Sequence, residues 1–176
     1  MTVTKNMQKM AFFCDFMRCV IFCFVVLQII IDFGELYMIE LLTDNHYDTI
    51  IDIFDNTKER IMIISPFLSK CMANKLCDCV RNNHLECYFI TRIYLEDLLS
   101  KVNSIEAIEM MIKAGIKVYA QKWLHTKLYL FDNNVGIIGS ANFTSGGFGG
   151  NIELSLMASN ESDLINQIEN KLSPKK

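Results

Sequence analysis

The sequence predicts an α/β sandwich: one mixed β-sheet flanked by helices on both faces. Three observations carry that expectation. From Met38 onward, short apolar runs alternate with amphipathic stretches of helical period. Between Trp123 and Leu156, three apolar runs separated by turn residues read as three adjacent strands. The chain has 176 residues, 51% of them hydrophobic, which is enough for one good core and makes a single domain the default.

Taken in order, M-I-E-L-L-T from Met38 is a short strand. Asp44 to Asn56 places Ile50, Ile51, Ile53 and Phe54 at helical spacing behind a cap at Asp44 or Asn45. R-I-M-I-I-S-P-F from Arg60 is a buried strand stopped by Pro66. A helix from Ser69 to Asn82 shows Met72, Leu76, Cys79 and Val80 as its apolar face, and Leu85 to Ile93 is the next strand. Tyr94 to Ala114 is helical in two pieces broken near Asn103-Ser104, with Gly115 as a C-terminal glycine. Ile116 to Ala120 is a strand, and Glu161 to Leu172 closes the chain as a polar-faced helix.

Residues 1–37 stand apart from the domain at 38–176. Lys5 and Lys9 precede an apolar run from Ala11 to Phe33, which Asp15, Arg18 and Gln28 interrupt. A spanning helix needs about 20 mostly apolar residues. No small-x-small cleavage pattern precedes Asp32 and Glu35. Membrane association through residues 11–33, an export signal, and a non-native or packed extension all stay open. The expected location is cytoplasmic, with a membrane-anchored or exported protein as the alternative.

Seven cysteines form an odd set without framework spacing, which speaks for reduced thiols over a disulfide scaffold. Cys71, Cys77, Cys79 and Cys87 with His84 do not have standard zinc-knuckle spacing, so no metal is assigned to them. His46 and His84 fall at the edges of predicted elements and read as surface residues. The net charge of -3 excludes a global basic field of the kind that announces nucleic acid. A catalytic groove needs only local positive charge, for which Arg60, Arg81, Arg92, Lys113, Lys117 and Lys122 are candidates.

The chemistry concentrates between Trp123 and Leu156. His125 with Lys127, Ser140 with Asn142, and Asn151 with Glu153 are each spaced i, i+2, so each pair projects from one face of its predicted strand. An ordinary half-buried sheet would carry apolar side chains there. If the strands are neighbours, an imidazole, an ammonium, a hydroxyl, amides and a carboxylate meet on one patch. A neutral imidazole held by a carboxylate can be a nucleophile toward phosphorus, and Glu153 is the candidate partner for His125. Asp132 has an odd offset from Lys127, which puts it on the opposite face and gives it a structural role in a turn or hydrogen-bond network.

The spacing H-x-K-(x4)-D-(x6)-G-S-x-N, met by His125, Lys127, Asp132, Gly139, Ser140 and Asn142, resembles the HKD motif of the phospholipase D superfamily. The following F-T-S-G-G-F-G-G-N-I-E is of the same type. A looser resemblance to single-motif bacterial endonuclease-like members runs from Met38 to Ser159. The resemblance implies a phosphodiesterase in which His125 attacks phosphorus to give a phosphohistidine. Lys127 and Asn142 would bind the phosphate oxygens, while Ser140 and Glu153 would keep the site in register. Asp132 and Gly139 would be structural. No cofactor or metal is implied. Because this chain has one motif, the resemblance implies a homodimer whose twofold axis joins two copies of His125. Nucleic acid is the expected substrate, with phospholipid as the alternative and a non-catalytic nucleic-acid-binding module as a third reading. The glycine-rich S-G-G-F-G-G beside the site is expected to form a mobile lip.

Overall fold

A computed structural model describes residues 38–100, 102–160 and 162–172, so the readings made for residues 1–37 lie outside the described residues. The elements in chain order are β1 (Met38–Leu42), α1 (His46–Asn56), β2 (Arg60–Ile64), α2 (Lys70–Asn83), β3 (Glu86–Thr91), α3 (Leu95–Leu99) and α4 (Ile105–Lys113). They continue with β4 (Lys117–Ala120), β5 (Leu128–Phe131), β6 (Val135–Gly139), α5 (Ser145–Gly149), β7 (Ser155–Ser159) and α6 (Ser162–Leu172). The seven strands form one sheet in the order β1-β7-β6-β5-β2-β3-β4. β2, β3 and β4 are parallel and every other pair is antiparallel, so the sheet is mixed as expected.

Alternation along the central strands feeds two apolar layers. Ile61, Ile63, Phe89, Tyr129 and Phe131 point into the larger one, with Met72, Leu76 and Val80 of α2, Ile50 and Phe54 of α1, and Ala107 and Met111 of α4. Met62, Ile64, Ile90, Leu128 and Leu130 point the other way, where Ile165 of α6 covers them. Each fully buried Leu, Ile or Phe contributes about 1.5–3 kcal/mol. Both faces therefore carry helices. Ser69 and Ser104 cap α2 and α4 by accepting from the backbone N–H groups of Met72 and Ala107, so each helix starts at a hydroxyl that satisfies a free donor. Gly115, at φ 88°, ends the α4 segment as its sequence position suggests.

Three local expectations need correction. His46 is buried at 4% exposure, because His46, Ile50 and Phe54 share one i, i+4 stripe of α1 that faces the core. Cys77, rather than Cys79, belongs to the buried face of α2, while Cys79 sits half-buried with its Sγ 3.3 Å from the Phe54 carbonyl. The glycine-rich segment is the short helix α5 and not a free lip. Thr144 caps it, and Phe148 anchors it among His46, Tyr129 and Phe143. Its glycines permit close packing: a Cβ on Gly147 would lie 2.3 Å from the Asn142 carbonyl oxygen.

Topology decides what gathers at each edge of the sheet. The parallel strands β2, β3 and β4 end where antiparallel β5 begins, and β6 ends beside the start of β7. One edge thus collects the residues after β2, β3, β4 and β6 and those before β5 and β7. The opposite edge collects Arg60, Lys117 and Asp132.

Candidate active site

His125 and Lys127 lie in the segment that leads into β5, Ser140 and Asn142 follow β6, and Asn151 and Glu153 precede β7. The three strands are neighbours, but the polar residues occupy strand ends and not strand interiors. The Nζ of Lys127 donates to the carbonyl of His125 at 2.8 Å, taking an acceptor that a longer ladder would use.

Lys127 is 8% exposed, its stem buried and its Nζ 3.4 Å from both ring nitrogens of His125. Burial holds this ammonium below the ordinary lysine range; Glu153 pulls it partly back and the positive charge of Arg92 pushes it further down. His125 itself is exposed. Ser140 Oγ donates to Glu153 Oε2, and the Leu154 N–H donates to Ser140 Oγ at 3.0 Å. Asn151 Nδ2 donates to the other carboxylate oxygen at 3.1 Å. Glu153 is therefore held by Ser140 and Asn151, and within one chain the structure does not bring it to the His125 ring.

A cavity of about 480 Å³ is lined by His125, Thr126, Lys127, Ile138, Gly139, Ser140 and Asn142. Asn142 Oδ1 is buried there without a partner among the described residues. Gly139 explains itself by space. A Cβ on it would come within 2.2 Å of Ser155 Oγ and 2.4 Å of the Leu154 carbonyl, so any other residue would push β6 from β7 and separate Ser140 from Glu153. The loop after β6 is sewn down from beneath: Tyr129 Oη donates to the Ala141 carbonyl at 2.6 Å, and the Phe143 N–H donates to Ser65 Oγ at 2.9 Å.

Asp132 is at the far end of β5, where its carboxylate accepts from the backbone N–H groups of Lys58, Glu59 and Arg60 at 2.7, 2.8 and 2.9 Å. It ties the β5–β6 turn to the start of β2. The proposed basic groove does not assemble. Lys117 pairs with Glu86, Arg81 with Asp78, and Lys113 with Glu109, while Arg60 begins β2 at the Asp132 edge. Of those candidates, Arg92 and Lys122 follow β3 and β4 and share the edge with His125. Among the described residues there is no group of three or more His, Cys, Asp or Glu side chains placed to hold a metal ion.

Two features escaped the sequence reading. His46 Nε2 lies 2.9 Å from Ser155 Oγ, directly behind the Gly139 contact, and burial holds the imidazole below its ordinary pKa against the opposing pull of Glu153 and Asp44. The i, i+4 stripe with Ile50 and Phe54 was its available signal. Arg92 is gripped by Asp97 at 2.8 and 3.1 Å and lies over the rings of Phe67 and Tyr94, an arrangement that joins the segment after β2 to the one after β3 and has no sequence signature.

A family model described as "Cardiolipin synthase, PLD-like domain" matches residues 50–174. The chain belongs to this phospholipase D-like family. Solved structures repeat the fold. The phospholipase D family member Nuc from Salmonella typhimurium superposes with a TM-score of 0.60 at 15% identity, covering 76% of this chain and 91% of Nuc. NucT from Helicobacter pylori gives 0.60 at 17%, covering 77% and 92%. Phosphatidylserine synthase from Haemophilus influenzae Rd KW20 gives 0.56 at 14%, covering 79% of this chain but 38% of the synthase. No curated protein matches the chain in sequence. As a phospholipase D-like chain it falls among phosphodiesterases and related hydrolases. No helix among the described residues is long and apolar enough to cross a membrane.

Proposed function

We propose that this chain is a metal-independent phosphodiesterase acting on DNA or RNA through a phosphohistidine intermediate. The observation that carries the proposal is the convergence of His125, Lys127, Ser140 and Asn142 on one cavity at one edge of the sheet. In the first step a ring nitrogen of His125 attacks phosphorus, a P–N bond forms, and the P–O bond to the leaving alkoxide breaks. Lys127 and Asn142 meet the charge on the nonbridging oxygens, the work that a metal ion does in other phosphodiesterases. In the second step water attacks phosphorus, the P–N bond breaks to free the imidazole, and the proton that water loses returns to the group that protonated the alkoxide.

The leaving alkoxide needs a proton, and one chain offers one imidazole in the cavity. His125 is exposed at the sheet edge, so a second copy across a twofold axis can bring its own His125 to the same phosphate. The homodimer is thus part of the proposal, and a monomer is expected to be inactive. The nuclease reading draws support from the overlap with Nuc and NucT over nearly their whole lengths. A phospholipid substrate is the second reading, favoured by the cardiolipin synthase description of the matching family model.

The test measures turnover of single-stranded DNA, double-stranded DNA and phospholipid vesicles in EDTA by wild type and His125→Ala. EDTA-resistant DNA cleavage that the variant loses supports the nuclease, together with an acid-labile phosphoryl group on His125. Lipid turnover without DNA cleavage moves the assignment to phospholipids. A verified dimer that turns over none of the three refutes the catalytic reading and leaves salt-sensitive DNA binding as the remaining function.

A further inference from the structure

Trp123 is the chain's one tryptophan, and it is 87% exposed beside the site, two residues before His125. Its backbone takes φ 62°, a left-handed conformation that is strained for a bulky residue. The strain is held by a specific contact, a hydrogen bond of 2.9 Å from the Trp123 N–H to Tyr94 Oη. The two rings meet edge to face with centroids 6.4 Å apart. Behind Tyr94 stands the Arg92 guanidinium, 4.4 Å from the Phe67 centroid and 5.4 Å from that of Tyr94, and clamped by Asp97. Asn103 fixes the same loops by donating to the carbonyls of Pro66 and Arg92 at 3.0 Å each. The indole is thus a braced plane that contributes little to the core.

We propose that Trp123, braced by Tyr94, is a stacking platform for a base flanking the scissile phosphate, which makes a single-stranded nucleic acid the preferred substrate. The inference rests on the nuclease reading above and names its substrate form. Trp123 and His125 are two positions apart with only Leu124 between them, a backbone reach of at most about 7 Å, so a base on the phosphate held at His125 or its neighbour can meet the indole. Stacking on a π-face requires an unpaired base and tolerates any sequence, whereas a paired base in a duplex hides both faces. Arg92 supplies no free charge here, because Asp97 holds its guanidinium at 2.8 and 3.1 Å; its part is to brace Tyr94. A lipid interface also favours an exposed indole but needs no ring held in a strained backbone, and vesicle binding separates the two. Leu95 and Leu99 nearby are also exposed, so the test includes vesicles and self-association.

Fluorescence of the single indole reports on the site directly. In full-length His125→Ala protein, oligothymidylate is expected to quench Trp123, with less quenching by the same strand in duplex. In the His125 wild-type background, Trp123→Ala is expected to lower the kcat/KM ratio of oligothymidylate to methyl p-nitrophenyl phosphate, which has no base, by about 5- to 100-fold, the effect of losing one base–aromatic stack. Trp123→Phe should retain most of that ratio. An unchanged ratio in Trp123→Ala overturns the platform while leaving the nuclease intact. If wild type cleaves neither ester, the catalytic reading fails, and the quenching titration still decides whether the indole binds bases. A blue shift on phosphatidylglycerol vesicles without quenching by oligothymidylate overturns the proposal in favour of a lipid contact. Dissociation of a dimer by Trp123→Ala, seen by light scattering with loss of both activities, overturns it in favour of a subunit contact.

Discussion

Removing the Asp132 carboxylate separates the architecture of the motif from its chemistry. Asp132→Ala deletes the acceptor of three backbone N–H groups, from Lys58, Glu59 and Arg60. Hydrogen bonds to a charged group contribute about 1.5–3 kcal/mol each when protected from solvent. Those from Lys58 and Glu59 are exposed and water can replace them, while that from Arg60 is partly buried. The bonds together then amount to about 2–3 kcal/mol. Asp132 also has φ 50°, a conformation that Asp tolerates better than Ala, which adds about 1 kcal/mol. The expected loss of about 3–4 kcal/mol lowers Tm by roughly 10 °C for a chain of this size. β5 carries the chain about 14 Å from Leu128 to Asp132 at about 3.4 Å per residue and sets Asp132 at the opposite end from His125, so the chemistry should be untouched. Thermal melts and urea titrations read the stability, and kcat on methyl p-nitrophenyl phosphate well below Tm reads the chemistry. Asp132→Asn, which keeps an acceptor for Glu59 and Arg60 and tolerates the backbone, should fall about midway. A kcat lowered more than about 10-fold with Tm unchanged would refute the assignment of Asp132 to the fold.

Three further outcomes follow from the site. Gly139→Ala drives a methyl group into Ser155 Oγ and the Leu154 carbonyl, so it should cost at least about 1–3 kcal/mol and lower kcat by pulling Ser140 from Glu153; unchanged melting and activity would contradict the packing. Lys127 is held below the ordinary lysine value by burial, so it loses its proton, and kcat/KM on phosphodiesters falls, at a pH below 10.5. Lys127→Arg, always charged, should be slower but lack that alkaline limb; a limb shared by both proteins would assign it elsewhere. For His46 the folded pKa lies below the ordinary 6.5, so the native state binds fewer protons than the unfolded chain as pH falls through that value. Stability is therefore full above about 6.5 and is lost as pH falls from there to the folded pKa. Urea midpoints of wild type and His46→Gln, compared above and below that window, should show a smaller acid loss in the variant; equal losses would remove His46 from the linkage.

Most elements were legible because period speaks plainly where one face is buried. The i, i+3, i+4 pattern of α1, the apolar run of β2 ended by Pro66, and Gly115 after α4 each have one low-energy reading. α5 was not legible, since S-G-G-F-G has poor helix propensity and exists as a helix because Phe148 finds a pocket and Thr144 caps its start. His46 was misplaced because a histidine is compatible with either side of a helix until a partner such as Ser155 is known. That the basic residues do not form one groove was not legible, because linear sequence does not say at which edge of the sheet, or on which helix face, a residue emerges.

The sequence by itself determined the chemical inventory and its family. The H-x-K-(x4)-D-(x6)-G-S-x-N spacing holds along a chain whether or not it is folded, so His125, Lys127, Asp132, Gly139, Ser140 and Asn142 could be named at once. Only the tertiary structure decided which of them meet. The antiparallel order β7-β6-β5 brings two strand starts and one strand end to the same edge, and carries Asp132 to the other, where it binds backbone and not substrate. It also gave Glu153 to Ser140 and set Trp123 on Tyr94, contacts between separate segments of the chain. Such contacts depend on strand order and loop closure, which local spacing does not encode.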